Sequence, residues 1–241
     1  MNTQHSPRRP NQLLAPIVLA ICRFLDASGL AAESPEFADT FAVRKADLSS
    51  TGRNDYFVLE PGFVSTFEGT EDGKKTVLTI TVTDRTKTVD GVETRVIEER
   101  ETAGGEVIEV SQNYFAISKA NGDVFYFGED SATYKGGKVI NREGSWLAGV
   151  AGARFGLAMP GRPEVGAAYY QEIAPKVAMD RARIVSVSET VKTPAGEFKN
   201  CVKTEETTPL EKGREYKIYA KGVGLVRDGR LSLVKSGAGV K

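Results

Sequence analysis

From Gly62 onward the chain repeats with a period of two. Leu78, Ile80 and Val82 alternate with Thr79, Thr81 and Thr83, the signature of a strand with one buried face and a threonine outer face. Asp90-Gly91 then marks a hairpin turn, since such turns need a residue that tolerates positive φ. A charged strand over 92–101 follows, its charges expected on the solvent side. Gly104-Gly105 turns the chain into a strand over 107–118, with Ile108 and Val110 on one face and Glu109 and Ser111 on the other. Asn121-Gly122 and Lys135-Gly136-Gly137-Lys138 are the next turns, bracketing the aromatic run Val124-Phe125-Tyr126-Phe127.

The same grammar returns further on. Val185, Val187 and Val191 alternate with Ser186, Ser188 and Thr190, and turns are expected at Pro194-Ala195-Gly196, Lys212-Gly213 and Asp228-Gly229. Between the two series lies a Gly-rich stretch, 144–166, with little alternation. The pattern predicts a mainly β fold of about ten strands: a single curved antiparallel sheet or half-barrel meander. Such a sheet must curl or close to bury its apolar face. The Gly-rich stretch is expected to form a covering loop or a plain connection.

Four segments follow. Residues 1–31 are expected to be a signal peptide, with Arg8 and Arg9 ahead of the apolar run Leu13 to Cys22, which is too short to span a bilayer as a helix. Gly29-Leu30-Ala31 offers small residues for cleavage after Ala31. Cys22 sits in a box like that of lipoproteins, but Ile21 stands where a small residue is usual. Residues 32–54 are expected as a flexible lead-in with a short helical turn near Glu36–Phe41. One β domain over 55–236 and a tail over 237–241 complete the chain. A periplasmic or secreted location follows, with no transmembrane span.

Composition narrows the function. The 241 residues carry 32 basic and 32 acidic side chains and no basic cluster, so nucleic acid is not an expected partner. The single histidine, His5, lies in the expected signal. The remaining chain then has no imidazole for general-base catalysis, a Ser-His pair or a metal site. No cofactor, catalytic residue or metal ligand is assigned. Cys201 would be the one thiol left, without a disulfide partner, and is expected to be buried.

Candidate chemistry gathers between Asp123 and Glu172, which holds the only tryptophan. Phe125, Phe127, Trp146, Phe155, Met159 and Tyr170 could line an apolar pocket or simply fill a core. The acids Glu129, Asp130, Glu143 and Glu172 stand beside these rings. With Asp180 they could offer oxygens to Ca²⁺, though no spacing matches a known loop. A pair of them could also serve glycoside hydrolysis. The leading expectation is noncatalytic binding of a lipophilic small molecule or an envelope protein. A carboxylate-dependent enzyme acting on an envelope or extracellular polymer is the alternative, and a structural β module is a third.

The motifs Phe127-Gly128-Glu129-Asp130, Gly144-Ser145-Trp146-Leu147-Ala148-Gly149, Met159-Pro160 and Tyr170-Gln171-Glu172 belong to a set. So do Pro194-Ala195-Gly196-Glu197-Phe198 and Tyr219-Ala220-Lys221-Gly222-Val223-Gly224-Leu225-Val226. Together they resemble a family of uncharacterised secreted bacterial proteins, over roughly 56–234. The last two motifs are also similar to half-barrel proteins related to periplasmic lipoprotein carriers. The resemblance implies a half-barrel fold and an envelope location, and no activity. Met179 and Arg181 depart from that family's pattern.

Overall fold

A computed structural model describes residues 37–239. The expected signal peptide, its cleavage after Ala31 and the lipoprotein-like Cys22 lie outside the described residues. A 3-10 turn at Lys45–Asp47 precedes three two-residue strands, β1 (Leu48–Ser49), β2 (Arg53–Asn54) and β3 (Phe57–Val58). A meander of long strands follows: β4 (Phe63–Glu71), β5 (Lys74–Val89), β6 (Val92–Ala103), β7 (Glu106–Ser118) and β8 (Val124–Lys135). Five short strands come next: β9 (Lys138–Asn141), β10 (Trp146–Leu147), β11 (Arg154–Met159), β12 (Ala168–Tyr170) and β13 (Glu172–Ile173). The second meander is β14 (Arg181–Thr193), β15 (Gly196–Thr207), β16 (Glu215–Ala220), β17 (Gly224–Asp228) and β18 (Leu231–Ala238).

The turns fall where the sequence marks them. Asp90 and Gly91 take φ of 49° and 77°, and Gly136 and Gly137 take 55° and 73°, the left-handed pair that a tight hairpin requires. The two meanders join through β18 and β4, with Leu233 opposite Phe67. The sheet runs β12-β14-β15-β16-β17-β18-β4-β5-β6-β7-β8-β11-β13. It curves through 320° into a nearly closed antiparallel barrel with one unsealed seam, tighter than a half-barrel.

The seam lies between β12/β14 and β11/β13, and the chain itself steps across it at Gln171. The backbone N–H groups of Gln171 and Glu172 donate to the carbonyl of Asp180 at 2.7 and 3.1 Å. Gly156 on β11 permits this approach, because a Cβ there would meet the Gln171 carbonyl oxygen at 2.4 Å.

Four segments differ from expectation. Residues 37–54 are not a loose lead-in. Ala38 forms a parallel bridge with Tyr169, Phe41 packs edge-on against Phe125, and β1 pairs with β7. No helical turn forms at 37–41, since the N–H and C=O of Ala38 bond to Ala168 and Tyr170. The Gly-rich stretch 144–166 holds β10 and β11, both paired with β8. On β14, Val191 is buried, whereas Val185 and Val187 are 36% and 38% exposed. Three register irregularities between Ile184 and Val191 re-aim the side chains, as bulges do. At the far end β18 runs to Ala238, into the expected tail.

Two apolar clusters hold the barrel. The larger includes Val82, Ile97, Phe115, Phe125, Tyr126, Phe127, Trp146 and Met159. The smaller gathers Phe67, Leu78, Val191, Cys201, Val226, Leu231 and Leu233. Cys201 is fully buried there, and lost hydration pushes its thiol pKa up.

Candidate functional site

The barrel is wider than its inward side chains can fill, and a cavity of about 290 Å³ lies between the two clusters. Its lining draws Val82, Ile97, Phe115 and Tyr126 from the larger cluster and Phe67 from the smaller. The strand registers divide the wall. Phe67 stands opposite Leu78, and Ser65 opposite Ile80. Ile80 in turn faces Glu99, and Val82 faces Ile97. Further round, Glu99 stands opposite Ser111 and Ile97 opposite Asn113, and Asn113 is opposite Glu129. The β4–β5 wall is therefore largely apolar, through Phe63, Phe67, Ile80 and Val82. The β6–β8 wall presents Glu99, Glu109, Ser111, Asn113 and Glu129.

More polar groups close the circle. Glu172 and Asp180 enter beside the seam, and Glu206, Lys217, Tyr219 and Asp228 come from β15–β17. Among the described residues, Lys217 is the only basic one in the lining. Its Nζ lies 3.2 Å from Glu206 and 3.8 Å from Asp228. Those two charges raise the lysine pKa well above its ordinary value despite burial. Gln171 and Thr204 also donate to Glu206, at 3.3 and 3.2 Å.

The other carboxylates are held differently. Burial, then the charges of Glu99 and Glu109, pushes Glu129 up to about 7, against hydrogen bonds to Ser111 and Tyr126. Glu99 also stands at about 7, chiefly from burial, with Lys217 pulling it down. Glu172 lies well above the carboxylate range because of burial, Asp180 and Glu129, although the Trp146 indole donates to its Oε2 at 2.9 Å. The Tyr126 hydroxyl donates to Asn113 at 2.5 Å, and Asn113 donates to Ser111 at 2.9 Å.

The expected site residues separate into two places. Glu129 and Glu172 line the cavity, and so does Asp180. Asp130 points away from it: burial opposes its ionisation, but bonds from Tyr114 and Lys87 outweigh that and lower its pKa. Glu143 is exposed in a turn. None of Phe125, Phe127, Trp146, Phe155, Met159 and Tyr170 is in the lining. Phe127 stacks on Phe155 at 4.8 Å, and Phe125 meets it edge-on at 5.6 Å. Phe37 takes the edge of Tyr170.

Phe125, Phe127 and Phe155 pack on the face of β8 opposite Tyr126. Gly128 lets β10 lie close, since a Cβ there would meet the Trp146 carbonyl oxygen at 2.5 Å. Trp146 stands opposite Glu129, touches Tyr126 edge-on and holds Glu172, so it supports three lining residues without lining the cavity itself.

Glu99, Glu109, Glu206, Lys217, Tyr219 and Asp228 line the cavity but were not among the expected site residues. The charges of β6 were expected outside, whereas Glu99 faces inward beside Ile97. The available signal was the β7 alternation of Glu109, Ser111, Asn113 and Phe115, one face that is acidic at one end and apolar at the other.

No protein-family profile and no curated protein matches the chain. Among solved structures, the chain is similar to a chain described as a "putative lipoprotein" from Parabacteroides distasonis ATCC 8503. The likeness has 15% identity and a TM-score of 0.37, over 78% of this chain and 100% of that one.

Proposed function

We propose that this is an exported cell-envelope protein that binds a small molecule with an apolar body inside the barrel, without changing it chemically. The carrying observation is the cavity of about 290 Å³ with one apolar wall and one polar wall. That volume is at the lower end for small-molecule sites. Burying apolar surface against Phe63, Phe67, Ile80 and Val82 supplies the affinity at roughly 25 cal/mol per Å². The polar wall orients the molecule. Export rests on the expected signal peptide and on the resemblance to secreted β proteins.

The alternative, a carboxylate-dependent enzyme, draws on one observation. Glu129, pushed up to about 7, interacts with Glu172, whose pKa burial also raises, and such pairs can divide acid and base roles. A polymer substrate would need a through-groove, and the acids here line a barrel lumen.

The test is titration with N-phenyl-1-naphthylamine, a neutral apolar dye that brightens on leaving water. The protein is expected to bind about one equivalent. Ser65→Trp, which fills the cavity from the apolar wall, is expected to weaken binding at least tenfold while leaving the fold intact by circular dichroism. Absence of dye binding, or equal binding by the filled variant, would overturn the proposal.

A further inference from the structure

Taking the lumen as a binding chamber, and resting on that reading, we propose that residues 37–41 form a latch across the seam. Release of the latch opens the lumen sideways, beside β12, for the bound molecule to enter and leave.

Among the described residues, strand pairing closes every joint of the barrel except the seam. The sheet begins at β12 and ends at β13, and no pairing joins β12 to β11. The cavity reaches this joint from inside. Ala158 of β11 is in its lining, and so are Gln171, Glu172 and Asp180 beside the seam. One end of the barrel is stoppered instead, where Tyr56, Phe57 and Val58 line the cavity. The Asn54 amide ties that stopper to the carbonyls of Gly122 and Pro160 at 2.9 and 3.0 Å. The Gly222 N–H donates to the Asp55 carbonyl at 2.7 Å.

Residues 37–41 touch both sides of the seam. On one side Ala38 takes the free edge of β12. Its N–H donates to Ala168 at 3.0 Å, and its carbonyl accepts from Tyr170 at 2.9 Å. Phe37 lies against Tyr170 and beneath the guanidinium groups of Arg181 and Arg183. On the other side the grip is weaker. Asp39 pairs with Arg154 of β11 at 2.9 Å, with both side chains half exposed, and such pairs contribute little. Phe41 meets Phe125 of β8 edge-on at 5.7 Å. The latch therefore stays with β12 and parts from β11 and β8.

β12 also carries a cost in the closed form. Tyr169 points inward, because it stands opposite Ala182, which stands opposite Glu206 of the lining. It is 3% exposed, and its hydroxyl has no hydrogen-bond partner among the described residues. A buried, unbonded hydroxyl destabilises the state that holds it, and water relieves it once β12 swings out. An unpaired strand edge and an unbonded buried group mark a segment that opens locally, ahead of the whole fold.

The experiment is stopped-flow mixing of the full chain with N-phenyl-1-naphthylamine, reading entry and exit rates beside the equilibrium affinity. Asp39→Ala with Phe41→Ala is expected to raise both rates about tenfold or more while the affinity stays within about threefold. Tyr169→Phe, which removes the unbonded hydroxyl, is expected to slow both rates about threefold or more. Should the double variant fail to fold, Asp39→Cys with Arg154→Cys, joined by a short bismaleimide, holds the latch shut. That cross-link is expected to slow both rates about tenfold, and Cys201, being buried, leaves the reagent to the new pair.

Unchanged rates in the released and cross-linked proteins, or a faster Tyr169→Phe, would overturn the latch and leave the chamber standing, filled through the other end of the barrel. Failure of the unaltered protein to bind the dye would overturn the chamber reading and the latch with it.

Discussion

The acids of the lumen tie residue chemistry to stability. Glu129 and Glu99 each titrate at about 7 in the folded chain, above the ordinary value near 4.3 of an unfolded chain. The folded state therefore holds more protons between those values. Their contribution is fully present below the unfolded pKa and is lost as pH rises through 7. The unliganded protein is expected to melt higher at pH 5 than at pH 8, with Glu129→Gln flattening that slope in a thermal scan. A melting temperature that rises across this range would contradict the assignment.

Arg95 is a different case. It is 7% exposed and bonds only carbonyl oxygens, donating to Ser50 at 2.9 Å and Asp84 at 2.8 Å. It ties the lead-in to the irregular part of β5. Arg95→Met leaves those carbonyls unpaired, and urea unfolding is expected to show a loss of roughly 2–3 kcal/mol.

At the scale of elements, the strands and turns were legible because their signals are local. Asp90-Gly91 and Gly136-Gly137 adopt the conformations their chemistry favours. Which face points inward was harder, since alternation alone cannot distinguish a solvated face from a polar lumen. Glu99 and Glu109 sit at the alternating positions expected of surface acids, and only closure of the sheet turns them inside. The aromatic run misled differently. Val124 to Phe127 is buried on both faces of β8, so rings that suggested a pocket are packing behind one.

The seam could not be read at all, because it depends on Gly156 admitting the backbone at Gln171, far along the chain. Gly156→Ala forces those backbones apart and is expected to cost roughly 1–3 kcal/mol. Hydrogen exchange should then quicken at Gln171 and Glu172 ahead of the β5–β6 pair. Equal protection in both proteins would mean the seam is looser than described.

For the whole molecule, the central point is that closing one long meander leaves a lumen with two unlike walls. Side chains of β4–β5 fill their half with apolar groups, while β6–β8 and β15–β17 bring carboxylates to the other. The outside also offers apolar residues, among them Ile140 at 54% and Val165 at 62% exposure, so binding by itself does not locate a site.

The decisive measurement is methyl-labelled NMR with octan-1-ol added to the protein. Magnetisation transfer from the chain of the alcohol to the methyl groups of Ile80, Val82 and Ile97 is the result this account predicts. Transfer confined to Ile140, Val165 and other surface methyls would contradict it.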